Sequence, residues 1–130
     1  MDIAIIDNND LKYPTDSFFY KTAVTEIFAL NLNPNEFKLL MFIFHKTVGF
    51  KKKWDFIAKF LFEDELSMSR RPTEVALKAL ETNNFISVYR NPSARKKNST
   101  AKYNAYSISD DFMEVVLCSY EENLNKYNDS

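Results

Sequence analysis

Residues 59–90 read KFLFEDELSMSRRPTEVALKALETNNFISVYR. In the second half of that stretch Thr73, Ala76, Leu77 and Leu80 recur at steps of three and four, the spacing that lines one face of an α-helix. Ser69 stands where an N-cap belongs, and Pro72 falls in the first turn, where a missing N–H is tolerated. The spacing therefore predicts a helix over residues 69–84, with that stripe turned inward. The preceding KFLFEDEL reads as a short helix and SMS as the polar turn between the two. Then FISVYR alternates, with Phe85 and Ile86 opening a strand.

Working outward, the run SFFYKTAVTEIFALNL places Phe19, Ala23, Ile27 and Leu30 at helical spacing behind Thr15 or Asp16 as N-cap. The polar NLNPN ends it, and Asn33, Pro34 and Glu36 announce the next helix. That helix, EFKLLMFIFHKTV, is apolar nearly all round, through Phe37, Leu39, Leu40, Met41, Phe42, Ile43 and Phe44, and is expected at the centre of the fold. Gly49, the one glycine of the chain, is expected to stop it as a left-handed C′ residue. WDFIA reads as a short strand, with Trp54 and Phe56 expected as core side chains in preference to an exposed stacking platform. Downstream, NPSARKKNSTAK is a polar loop, YNAYSIS the returning strand, and DDFMEVVLCSYEENLNKY a helix with an acidic start. In that helix Phe112, Val115, Val116, Tyr120, Leu124 and Tyr127 follow at roughly helical spacing.

The order of elements is that of a mainly α fold with a small β-hairpin wing, a winged helix-turn-helix. Residues 59–84 form the helix-turn-helix and residues 85–108 the wing. A loosely attached segment is expected over 1–14, the winged domain over 15–109, and an acidic helix over 110–130 that packs on its own domain or forms a homodimer interface.

Composition agrees with a single helical domain. At 130 residues, 45% hydrophobic and 27% charged, the chain can bury a core unaided, and one glycine with four prolines argues against an all-β sandwich. Cys118 is the lone cysteine, which excludes an internal disulfide and a cysteine-based metal site. A small, buried or half-buried side chain is expected of it. No apolar run approaches the roughly 18 residues of a membrane span, and the start MDIAIIDNNDLK carries acids where a secretory signal needs positive charge. These features fit a soluble cytoplasmic protein.

The net charge of −1 conceals a segregation: residues 17–109 hold 15 of the 17 Lys and Arg but 8 of the 18 Asp and Glu, leaving that part at +7 between acidic ends. A basic body suits a polyanionic partner. With the inward stripe assigned, Ser69, Arg70, Arg71, Glu74 and Lys78 point outward from the second helix, whose N-terminal turns are the part able to enter a DNA major groove. Arginine can grip a guanine edge, serine a phosphate, and glutamate a cytosine amine. The wing adds Arg90, Arg95, Lys96, Lys97 and Lys102, with Asn91, Asn98, Ser99 and Thr100 beside them and no acid among them. That pattern suits phosphates or a minor groove. Lys51, Lys52 and Lys53 either join them or keep a strand entry soluble.

Catalysis finds little support. His45 is the only histidine, one glycine rules out a phosphate-cradling loop, and the consecutive Glu63, Asp64 and Glu65 point in different directions on a helix. The expectation is a protein that is not an enzyme and needs no cofactor or metal.

The stretch LNLNPNEFKLLMFIFHKTVGFKKKWDFIA resembles the N-terminal DNA-binding domain of the replication protein O family of lambdoid phages and prophages. The resemblance is carried by Lys46, Thr47, Gly49, Phe50, Lys52, Lys53, Asp55 and Ile57, and by a second signature of Ser69, Arg70, Arg71, Ala76, Leu77, Lys78, Leu80, Glu81 and Ile86. It covers roughly residues 13–90. Ser67 and Asn84 stand where the family has glycine, both residue types that tolerate turn geometry, and Pro72 and Thr73 replace a threonine–valine pair. The resemblance implies binding of origin-type duplex DNA in a bacterial host cell, but not helicase recruitment. A phage or plasmid transcriptional regulator shares the same fold. A winged helix turned into a protein-interaction module that inhibits a host enzyme accounts for the acidic pI and tail.

Overall fold

In the computed structural model, which describes residues 9–90 and 103–128, with side chains to 126, α1 spans Ser17–Phe28 and α2 Pro34–Lys46. A single 3-10 turn, Val48–Phe50, leads to β1 (Asp55–Ile57), α3 (Lys59–Leu66) and α4 (Arg70–Thr82). Then come β2 (Ile86–Tyr89), β3 (Asn104–Ile108) and α5 (Asp110–Asn128). Among the described residues the fold is thus mostly helical, with five helices and one three-stranded antiparallel sheet ordered β1-β3-β2. This arrangement is compatible with a winged helix.

The start of α2 is a complete capping box. Asn33 Oδ1 accepts the Glu36 amide at 2.8 Å and Glu36 Oε1 accepts the Asn33 amide at 3.2 Å, while Pro34 opens the helix. Leu39, Leu40, Ile43 and Phe44 of α2 are fully buried. The helix touches α1, α3, α4 and β3, the central place its all-round apolar surface implies. Phe19, Ala23 and Ile27 of α1 are buried against it and Leu30 packs at the edge. Asp16 occupies the N-cap of α1, but its carboxylate accepts the Tyr120 hydroxyl at 3.2 Å instead of capping.

Gly49 does not do what its uniqueness suggests. No glycine has a positive φ, and the left-handed residue is Lys51, at φ 60°. Thr47 closes α2, its amide and hydroxyl both donating to the Ile43 carbonyl at 3.0 and 2.7 Å. Gly49 sits inside the 3-10 turn, where a Cβ would stand 3.3 Å from His45 Nδ1. The glycine leaves room for that imidazole, which meets the Phe50 ring at a centroid distance of 5.4 Å. The strand after it is shorter than WDFIA. Trp54 and Phe56 are half-buried, not core, and Ala58 is already the N-cap of α3.

The described part of the lead-in segment, residues 9–14, is anchored to the fold, whereas residues 1–8 lie outside the described residues. Asn9 accepts the Trp54 amide through Oδ1 at 2.6 Å and the Lys53 amide through its carbonyl at 3.0 Å. Leu11 and Tyr13 pack on the core. At the other end α5 lies along α1. Phe112, Met113 and Val116 are buried, the Tyr120 ring meets Phe18 and Phe19, and Ser119 Oγ donates to Glu26 at 2.6 Å. The inward stripe runs through Phe112, Met113 and Val116 and leaves Val115 half-exposed, contrary to the sequence reading, as the helix packs on α1. The face offered for a homodimer is thus the one that α1 covers. Cys118, expected to be at least half-buried, is exposed on the opposite side.

Tyr13 joins the two ends. Its hydroxyl faces Asp110 Oδ1 and Glu114 Oε1, each at 3.4 Å, and burial together with these two carboxylates pushes its pKa up to about 12. Below pH 10 the phenol is protonated in both folded and unfolded chains. Between 10 and 12 the unfolded chain loses the proton first, so stability falls as pH rises through this window. Urea midpoints at pH 9, 10 and 11 are expected to drop less for Tyr13→Phe than for the wild type. Parallel curves would remove Tyr13 as the cause.

Candidate nucleic-acid interface

The pair α3–α4 is set by a left-handed residue and a buried aromatic. Ser67 adopts φ 53° and ψ 44°, the geometry for which the related family uses glycine, and the Met68 amide folds back onto the Glu63 carbonyl at 3.1 Å. Phe62, the buried residue of α3, stands edge-on to Phe42 of α2 at 5.4 Å and to Tyr106 of β3 at 5.2 Å. Thr73, Ala76, Leu77 and Leu80 bury the inner face of α4, which packs on α2. Ser69, Arg70, Arg71 and Lys78 are exposed and Glu74 is half-exposed, as the spacing requires. Ser69 takes the N-cap backbone position, but its hydroxyl makes no cap hydrogen bond. The Ser69 carbonyl accepts the Thr73 hydroxyl at 2.8 Å.

The charges of this face are already partly engaged. Arg70 Nε donates to Glu74 Oε1 at 3.1 Å, and Lys59 Nζ of α3 approaches the same oxygen at 3.6 Å. The Arg70 hydrogen bond, then the Lys59 charge, holds the Glu74 carboxyl below its ordinary range. Arg71 forms no ion pair with a described residue. Sequence spacing contains the Arg70–Glu74 step of four. Lys59 comes from the neighbouring helix, so no local pattern announces it.

Beyond α4, Asn84 is also left-handed, at φ 62°, again where the related family has glycine. Its carbonyl accepts the Ser109 hydroxyl at 2.6 Å and its amide donates to Asp111. Ser109 Oγ also accepts the Phe112 amide at 3.2 Å, so a single hydroxyl starts α5 and holds the entry to the sheet. The hairpin strands pair from Ile86↔Ile108 to Tyr89↔Ala105. Arg90, read from the sequence as a phosphate contact, is instead tied back to α4. Its two terminal nitrogens donate to Glu81 Oε2 and Oε1 at 2.8 and 2.7 Å. That bidentate pair raises the Arg90 pKa and lowers that of Glu81. Arg95, Lys96, Lys97, Ser99 and Lys102, with Asn91, Asn98 and Thr100, lie outside the described residues.

The lysine run is divided. Lys52 pairs with Asp55 at 2.7 Å and Lys53 with Asp110 at 3.5 Å, both part-buried, whereas Lys51 is exposed at the left-handed turn. Of the acidic trio on α3, Glu65 pairs with Lys46 at 3.8 Å. Among the described residues no three His, Cys, Asp or Glu side chains converge on a metal-sized site, and no helix is long and apolar enough to cross a membrane.

The elements define a class: a small helical domain that presents one cationic helix face beside an antiparallel hairpin. Within that class the chain belongs to the bacteriophage replication protein O family, whose model matches residues 19–104, from α1 to the first residue of β3. This agrees with the family expected from the lysine–threonine–glycine stretch. Searches of curated proteins and of solved structures returned no match.

Proposed function

We propose that this chain is a winged-helix protein that binds double-stranded DNA at a phage replication origin in the cytoplasm of the host cell. In this reading it has no enzymatic activity and needs no cofactor. The observation that carries the reading is the outer face of α4. Its inward stripe is buried and the helix packs on α2, α3 and β2, which leaves Ser69, Arg70, Arg71 and Lys78 exposed. Arg71 faces the groove, Ser69 and Lys78 hold phosphates, and Arg95, Lys96, Lys97, Ser99 and Lys102 add phosphate contacts. Lys51 adds a phosphate contact, and Lys52 and Lys53 support the strand entry through their ion pairs. Membership in a replication family favours origin binding over transcriptional regulation.

The test is affinity for random duplex and for the chain's own genomic neighbourhood as salt is raised. Log affinity is expected to fall linearly with log salt, and Arg95, Lys96 and Lys97 replaced together by alanine should give a shallower line. Absence of duplex binding at low salt overturns the proposal. An unchanged slope in the triple variant removes those three residues from it.

A further inference from the structure

A helix turns by about 100° per residue. On α4 the direction opposite Thr73, Ala76, Leu77 and Leu80 is therefore shared by Arg71, Val75 and Lys78. Val75 is 63% exposed and belongs neither to the buried core nor to the side chains packed against it. Folding gives no reason for valine there. A β-branched side chain is a poorer helix former than the lysine, glutamate or alanine that an exposed position readily takes, and an exposed isopropyl group gains nothing from burial. Its neighbours one turn away on either side are cations, so whatever meets this face carries negative charge around an apolar spot.

Duplex DNA answers that description. Its major groove is bordered by phosphates, and the C5-methyl of thymine is the apolar group displayed on its floor. We infer that Val75 reads a thymine methyl and fixes an A·T pair in the target, with Arg71 and Lys78 seating the helix on either side. The inference rests on the reading of α4 as the groove helix. Alanine scans guided by charge would pass Val75 over, since it carries no polar atom.

The test replaces thymidine by deoxyuridine, which pairs identically and lacks only the methyl. A site is selected from a random duplex pool with the whole chain, then resynthesised with deoxyuridine at each thymidine in turn. Wild-type protein is expected to lose about four-fold in affinity at the position read, the effect of leaving one methyl-sized group in water. Val75→Ala, which favours the helix and so folds, is expected to bind the thymidine and deoxyuridine sites equally. Val75→Thr, which keeps a methyl, should retain the preference. Wild-type binding that is salt-dependent but indifferent to deoxyuridine everywhere overturns the inference and leaves the DNA reading standing. So does a Val75→Ala protein that keeps the wild-type sensitivity at the same position. Failure to bind any duplex overturns the DNA reading itself.

Discussion

Glu74→Gln is expected to bind random-sequence duplex roughly ten- to a hundredfold more tightly than the wild type at low salt, with a salt slope steeper by about two. The reason is the shared oxygen. Arg70 and Lys59 both engage Glu74 Oε1, so two cations that a phosphate backbone would attract are held by a carboxylate of the same surface. Glutamine keeps the shape and removes the charge. Both cations then become available to phosphates, and the repulsion between carboxylate and backbone disappears. The same change should reduce preference for a selected site over random sequence, because the wild-type carboxylate penalises contacts that offer it no donor. Exposed pairs of this kind contribute little to folding, so the thermal midpoint should scarcely move. Fluorescence anisotropy on both duplexes across a salt series reads the affinity, the slope and the preference, and thermal unfolding reads the midpoint. Equal slopes for wild type and variant would mean that Glu74 does not restrain the cations.

The second large effect concerns the hinge of the helix pair. Phe62→Ala is expected to destabilise the fold by about 3–5 kcal/mol, the range for removing a buried aromatic side chain. Phe62 is fully buried and is the one residue of α3 that is buried outright. Its ring bridges Phe42 on α2 and Tyr106 on β3, so its loss opens a cavity where the central helix, the short helix and the sheet meet. Phe62→Leu fills much of that space and should cost far less. Urea unfolding followed by circular dichroism separates the two. A loss below about 1 kcal/mol for the alanine variant would show that α3 is held by something other than this ring.

Much of this arrangement is legible in the sequence because the signals are local. Asn33, Pro34 and Glu36 form the capping box that their spacing suggests. The stripe Thr73, Ala76, Leu77 and Leu80 lies buried because a helix period admits no other inward face. Ser67 and Asn84 adopt the left-handed geometry implied by the glycines that the related family has in their place. What escapes the sequence depends on neighbours distant along the chain. Lysine carries no left-handed preference, so nothing marked Lys51 as the residue that turns the chain, and Gly49 drew the expectation instead. The claim of Lys59 on Glu74 comes from a separate helix and that of Glu81 on Arg90 from a helix onto a strand end. The meeting of Tyr13 with Asp110 and Glu114 joins opposite ends of the chain. These pairings change what the candidate site can offer: a count of cations overstates the free positive charge, and a list of charged residues omits Val75.

The strand order β1-β3-β2 also bears on how the chain assembles. β3 is the middle strand yet the last of the three in sequence, and Ile57 finds its partner only at Asn104. On a ribosome, β1 emerges with both edges unpaired and stays so while α3, α4 and β2 are made. Pairings between such distant residues are slow to form, because the intervening chain must be ordered first. The contacts available earlier are those of α1, α2, α3 and α4 around Phe44 and Leu80, so the helical part can gather before the sheet exists. On that schedule the face of α4 is in place before the sheet closes, and α5, made last, then packs on α1.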